Sequence, residues 1–252
     1  MCRHLAWLGE PRTLAQFVTA PPHSLVRQSY AATQMLRGSV CADGFGIGWY
    51  PADEATPARY RRHEPIWADT DLGRFAEAVR SRAIIAAVRN GTPRIPGGVA
   101  STQPVAADGL LASHNGYIAD FQRHARRLRD GLPGDLYAAL TGESDSETFL
   151  LLAIDAVRRE GDLAAGLETA IDLVLRTAPG SSLCAVMTDG RELVAARMTD
   201  GQPCDSLYVR HQPDGVVVAS EPLDDAAGWG ALPEHAVTRV AAPASAVDGL
   251  RR

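Results

Sequence analysis

The apolar segments of this chain change period twice, and the order of those changes restricts the fold more than any other feature. Strand-like runs come first, at 4–8 (HLAWL), 44–50 (GFGIGWY), 58–67 (ARYRRHEPIW, with a turn), 83–88 (AIIAAV) and 110–113 (LLAS). Two helical stretches interrupt them, 24–37 and 71–80, the first with Ser24 as its N-cap. A helical block follows at 118–129, 134–140, 146–160 and 162–177, and beyond Pro179 strands return at 181–188, 191–198, 206–211, 215–220 and 236–241. The pairs Asp189-Gly190 and Asp214-Gly215 have the chemistry of tight hairpin turns. Hairpins join antiparallel neighbours, whereas a parallel sheet needs alternating strand and helix units. The order therefore predicts an α+β sandwich of antiparallel sheets. No linker, repeat or composition break divides residues 1–252, so one domain is expected.

Two local patterns sharpen this. In GFGIGWY glycine alternates with apolar residues, as in a strand approached closely by other backbone. Its G-x-G-x-G is not G-x-G-x-x-G and no helix follows, so it is not a dinucleotide site. Ser144-Asp145-Ser146-Glu147 reads as a capping box opening the helix over 146–160.

Composition removes several kinds of chemistry. All 25 basic residues are Arg, which excludes Schiff-base lysines, lysine nucleophiles and phosphate-loop lysines from this chain. The formal charge is −5, and the one basic cluster, Arg123 to Arg129, reads as a solvated helix face, so nucleic acid is not an expected partner. No run of 18 apolar residues suggests a membrane span, and CRHLAWLGEPRT lacks the apolar core of a secretory leader. A cytoplasmic protein is expected. Cys2, Cys41, Cys184 and Cys204 form no C-x-x-C pair and no paired histidines accompany them. Neither a metal, a disulfide framework nor a cofactor is expected.

Cys2 carries the most chemical potential. If Met1 is removed, one residue holds both a thiol and a free α-amine, whose pKa of about 7.7–8.0 lets it act as a base near neutrality. The ordinary alternative is a small buried hydrophobe. Three other polar stretches sit at element ends: Arg89-Asn90-Gly91-Thr92, His114-Asn115-Gly116 and Asp145. An amide substrate with a free amino-acid head, such as glutamine, would give each a task. Cys2 would attack the side-chain carbonyl. The Asn115 amide and Gly116 N–H would hold the oxyanion, Arg89 the α-carboxylate and Asp145 the α-ammonium. Each also has a plain structural explanation: an ion pair for Arg89, a turn for Asn115-Gly116, the helix dipole for Asp145. His114 reads more as a neighbour of the site than as its base.

In this order MCRHLAWLG, DGFGIGWY, VRNGT, HNG and SDSE resemble the class II glutamine amidotransferases, members of the N-terminal nucleophile hydrolase superfamily. The resemblance implies a four-layer αββα sandwich of two antiparallel sheets. It also implies Cys2 freed by loss of Met1, Asn115 and Gly116 as oxyanion hole, and Arg89 and Asp145 on a γ-glutamyl group. Thr92 and His114 fall within the same substrate-binding set. More narrowly, MCRHLAWLG, SLVRQSY, ADGFGIGWY and PIWAD resemble the γ-glutamyl hydrolases of ergothioneine biosynthesis, which split a γ-glutamyl-hercynylcysteine sulfoxide into glutamate and the sulfoxide. The implied partner is a small γ-glutamyl molecule. Pro93 stands where the amidotransferases proper carry His, which favours a stand-alone hydrolase. Cys41 stands where Asn is expected in N-x-D-G. The length leaves no second domain to receive ammonia, so water is the expected acceptor. A trimethylammonium substrate invites an aromatic cage, for which Tyr30, Trp49, Tyr50 and Trp67 are candidates, each equally explained by packing. Two other readings stay open: a glutaminase subunit that supplies ammonia to a separate synthetase, and a non-catalytic binding protein that retains the fold.

Overall fold

The first strand, β1 (Arg3–Thr13), lies at the centre of a seven-stranded sheet in a computed structural model that describes residues 2–91, 98–201 and 203–243. Its antiparallel neighbours are β4 (Arg80–Val88) on one side and β10 (Gly215–Ala219) on the other. β2 (Phe45–Trp49) and β3 (Ala58–Arg62) extend the sheet beyond β4. β9 (Tyr208–Gln212) and β11 (Gly230–Ala231) extend it beyond β10. The second sheet has five strands, β5 (Val105–Ala107), β6 (Leu110–Tyr117), β7 (Ser182–Thr188), β8 (Leu193–Thr199) and β12 (Ala236–Val240), in the order β12-β8-β7-β6-β5. Every pairing in both sheets is antiparallel.

Strand alternation builds the layers. In β1, Leu5 and Trp7 face a core shared with α1 (Ala15–Val18), α2 (Leu25–Ala31) and α3 (Leu72–Ala78). Ala6 and Leu8 face the other sheet. In β7, Cys184 and Val186 meet them there, while Leu183, Ala185 and Met187 pack under α6 (Asp145–Glu160) and α7 (Leu163–Thr177). Phe121 and Leu128 of α4 (Phe121–Arg129) and Leu136 of α5 (Gly134–Ala138) complete that outer core. The result is the four-layer αββα sandwich of the expected α+β class. Central strands covered on both faces read as continuous apolar runs, which is why AIIAAV carries no alternation.

The glycines of β2 face inward. Phe45, Ile47 and Trp49 join the helix-side core, while a methyl on Gly46 would run into the Gln103 carbonyl and one on Gly48 would sit 2.7 Å from a Leu111 methyl. The predicted close backbone approach is thus the contact between the two sheets.

Several boundaries differ from the sequence reading. β1 continues through Gly9 to Thr13, its register shifting between Leu8 and Arg12. The helix predicted over 24–37 keeps its Ser24 cap but ends at Ala31. There the buried Glu221 carboxylate takes the N–H groups of Thr33 and Gln34 at 2.8 and 3.0 Å, and these tertiary bonds replace the next helical turn. β6 runs on through His114, Asn115 and Gly116 rather than stopping before them. β5 and β11 were not anticipated, being three and two residues long. Ser144 caps α6, accepting the Glu147 N–H at 3.1 Å, but the Glu147 carboxylate binds Thr141 and Gly142 instead of closing the box.

Gly46→Ala is expected to lower stability by about 1–3 kcal/mol, because backbone rather than a flexible side chain blocks the added methyl. Gly73→Ala, on α3 with open space around it, should raise stability slightly. Urea unfolding of both variants checks the contrast.

Candidate active site

The start of β1, the end of β4, the end of β6 and the first turn of α6 converge on a cavity of about 370 Å³. Cys2, Arg89, Gly116 and Asp145 all line it, together with Asn90, Gly91 and Tyr117. Four residues predicted from separate stretches of sequence thus share one space.

Backbone sets each of them. Arg89 follows the last residue of β4, its N–H bonded to the Gly44 carbonyl at 2.7 Å and its carbonyl accepting the Asp43 N–H at 3.0 Å. The Asp43 carboxylate in turn accepts the Gly91 N–H at 2.6 Å. Asp145 opens α6, where the helix dipole favours a carboxylate. Its two oxygens accept the N–H groups of Ile118 at 3.0 Å and Ser146 at 2.9 Å, which orients the group and stabilises its charge. Cys2 is half-buried. Burial pushes its thiol up, against the pull of the Asn90 backbone and Arg89.

Gly116 is dictated by space: any side chain there would strike the Ser182 carbonyl and approach His114 Nε2 to 2.7 Å. Asn115 is fully buried with its side chain beside Asp205, and neither of its amide heteroatoms has a hydrogen-bond partner among the described residues. His114 does not line the cavity. It lies behind the wall, Nδ1 at 2.9 Å from Ser146 Oγ and Nε2 at 3.3 Å from the Ser182 carbonyl. The carbonyl can only accept, so Nε2 carries the proton and the Ser146 hydroxyl donates to Nδ1. Burial lowers the pKa of this ring, which stays neutral. His114 is thus bonded to the residue next to Asp145. Thr92 and Pro93 lie outside the described residues.

The aromatic candidates for a cage sit elsewhere. Tyr50 donates its hydroxyl to the carbonyls of Gly109 and Thr188, Trp49 packs edge-on to Phe75, and Tyr30 and Trp67 form an edge-to-face pair at 5.7 Å. None of the four lines the cavity; Tyr117 does. Cys41 is fully buried in the helix-side core, and burial, with Cys2 nearby, pushes its thiol up to about 12.

Sequence reasoning missed the charged support beneath Cys2. Arg3 has no exposed surface. It donates from Nε to the Cys2 carbonyl at 2.7 Å, from Nη2 to Asp205 at 2.7 Å and from Nη1 to Glu221 at 3.3 Å. An arginine at the head of an otherwise apolar strand was the one available signal; its partners lie more than 200 residues away.

His4, the next residue, is equally enclosed, between Ser113 Oγ at 3.2 Å and Cys184 Sγ at 3.8 Å. Burial and then the charge of Arg3 push its pKa from 6.5 to about 3. The unfolded chain takes up this proton near pH 6.5 and the folded one only near pH 3, so stability is lost as pH falls through that window. The loss from this group should reach about 2 kcal/mol by pH 5. Urea titrations at pH 7 and pH 5 should show that drop shrinking by a similar amount in His4→Asn; an unchanged drop would assign the acid sensitivity elsewhere.

Comparisons with known proteins identify the family. Residues 23–213 match the family described as glutamine amidotransferases class-II. A gamma-glutamyl-hercynylcysteine sulfoxide hydrolase of Mycolicibacterium smegmatis is 36% identical over 93% of each chain. A protein of the same name from Mycobacterium tuberculosis is 34% identical over 95% of this chain and 93% of its own. A solved structure of a glutamine aminotransferase class-II domain protein from Silicibacter pomeroyi superposes with a TM-score of 0.70 at 26% identity, covering 94% of this chain and 93% of that one. The chain belongs to the class II glutamine amidotransferases.

Proposed function

We propose that this protein is a γ-glutamyl amidohydrolase with Cys2 as nucleophile, and that its substrate is γ-glutamyl-hercynylcysteine sulfoxide. The observation that carries the reading is the meeting of a thiol, a cation and an anion, Cys2, Arg89 and Asp145, in one cavity. A γ-glutamyl group presents an α-carboxylate and an α-ammonium at one end and a reactive carbonyl at the other. Arg89 takes the carboxylate and Asp145 the ammonium, which sets the carbonyl at Cys2. The substrate follows from the names of the relatives at 34–36% identity.

In this mechanism removal of Met1 frees the Cys2 α-amine. The amine takes the thiol proton as sulfur adds to the γ-carbonyl carbon, and later gives that proton to the departing amine nitrogen. The oxyanion is held by the Gly116 N–H and the Asn115 amide. Breaking the C–N bond releases hercynylcysteine sulfoxide and leaves a γ-glutamyl thioester on Cys2. Water, deprotonated by the same amine, adds to the thioester and releases glutamate and the free thiol. His4 is no rival base, since a pKa of about 3 makes its ring too weak to take up the thiol proton near neutrality. The reaction needs only a small-molecule partner and fits a cytoplasmic enzyme.

Release of glutamate from the conjugate, followed against free glutamine, tests the proposal and separates it from a glutaminase that serves a synthetase. Cys2→Ala should lose at least about a thousandfold in kcat. Arg89→Met should lose roughly 10- to 150-fold in kcat/KM, the worth of hydrogen bonds to a charged group. Full activity in Cys2→Ala would overturn the mechanism, and a strong preference for free glutamine would overturn the substrate.

A further inference from the structure

We propose that Cys184 and Cys204 form an oxidisable dithiol, which a hydroperoxide closes to a disulfide, and that closure loosens the anchorage of Cys2. The bridge is independent of the γ-glutamyl reading above; its effect on turnover rests on that reading.

All four cysteines are free thiols, and two of them meet in the core between the sheets. Cys184 lies midway along β7, which is paired with β6 on one edge and β8 on the other. Cys204 belongs to the irregular segment that follows β8. Ser182 and Cys184 are two residues apart on a strand and so share a face. The Cys204 sulfur lies 3.8 Å from the Ser182 hydroxyl and 3.9 Å from the Met198 carbonyl on β8. Its thiol neighbours that of Cys184, whose sulfur also lies 3.8 Å from His4 Nε2.

Access differs between the two. Cys204 lines a second cavity of about 400 Å³, together with Thr33, Gln34, Leu36 and Tyr208, whereas Cys184 has no exposed surface. A peroxide entering this cavity therefore meets Cys204 first. The adjacent Cys184 thiol draws the Cys204 thiol down, against burial, which favours the reactive thiolate. Cys204 sulfur attacks one peroxide oxygen, the O–O bond breaks, and the other oxygen leaves as alcohol or water with the thiol proton. The product is a sulfenic acid, its sulfur oxidised by two electrons. Cys184 sulfur then attacks that sulfur, the S–O bond breaks, and the hydroxyl leaves as water with the Cys184 proton.

The neighbouring residue connects this pair to the nucleophile. Bridging brings the sulfurs to about 2.05 Å. β7 is laddered on both edges, so the irregular segment of Cys204 takes up the movement. Asp205 comes next in that segment, and it accepts from Arg3 Nη2 at 2.7 Å, while Arg3 Nε holds the Cys2 carbonyl at 2.7 Å. A shift at Cys204 thus reaches Cys2 through one ion pair.

For the test, hydrogen peroxide is applied to the full-length protein carrying Cys2→Ala, which removes oxidation of the nucleophile itself, and its peptides are mapped without reduction. The expected product is a Cys184–Cys204 bridge, lighter by two hydrogens and opened by dithiothreitol. Retention of both thiols, or a Cys204 carried on to sulfinic acid beside a free Cys184, would overturn the dithiol. Glutamate release from the conjugate is then followed in wild type, Cys204→Ala and Cys204→Ser after equal exposure to peroxide. The wild type should lose more activity than either variant and regain the difference with dithiothreitol; equal losses would overturn the link to Cys2. An untreated wild type that releases no glutamate would instead overturn the γ-glutamyl reading, and the peptide map would still decide the bridge.

Discussion

The site depends on a guanidinium from which water is fully excluded. Arg3 ties the Cys2 carbonyl to Asp205 and Glu221, two carboxylates with no exposed side-chain surface. Burial holds Asp205 above its ordinary carboxylate range, against the pull of Arg3. Burial also works against Glu221, yet its bonds from the Thr33 backbone, His23 and the Thr33 hydroxyl bring it below the ordinary range. Glu221 thereby fastens the segment after α2 to the sheet that carries Cys2. Breaking such a cluster by removing one partner leaves an uncompensated buried charge, which costs about 3–5 kcal/mol. The position of the proposed nucleophile is thus set by long-range ion pairing, while its strand supplies the backbone ladder.

That arrangement lets opposite demands coexist. A nucleophile at the head of a chain would ordinarily fray, since chain ends are the least constrained part of a domain. Here β1 is paired on both sides from Leu5 onward, and Arg3 anchors the residue before the ladder begins. The charged recognition groups come from other element ends, Arg89 after β4 and Asp145 at the start of α6. Cys41, close to Cys2, stays a protonated thiol because burial pushes it so far up, and it offers no competing nucleophile near neutrality.

Where a signal was local, the sequence carried it. The turn chemistry of Asp189-Gly190 and Asp214-Gly215 marks the two hairpins, and the glycine period of β2 marks the contact between sheets. Ser144 caps α6 as its spacing suggested. Cys2, Arg89, Gly116 and Asp145 were each recognisable as members of polar stretches at element ends, and they do share a cavity. What was not legible is tertiary. The stop of α2 at Ala31 comes from Glu221, nearly 190 residues away, and the pairing of Arg3 with Asp205 has no local trace. His114 lies beside the motif but turns to the helix side of β6, where alternation sends it toward Ser146 and Phe149. The four aromatic candidates lie away from the cavity, because residue type alone does not say which surface a ring covers.

The most direct test of the central claim is the intact mass of the purified protein before and after treatment with a diazo-ketone analogue of glutamine. The account predicts a chain that has lost Met1 and gains one adduct, located on Cys2. A chain that keeps Met1, or a processed chain that takes up no adduct, would contradict it.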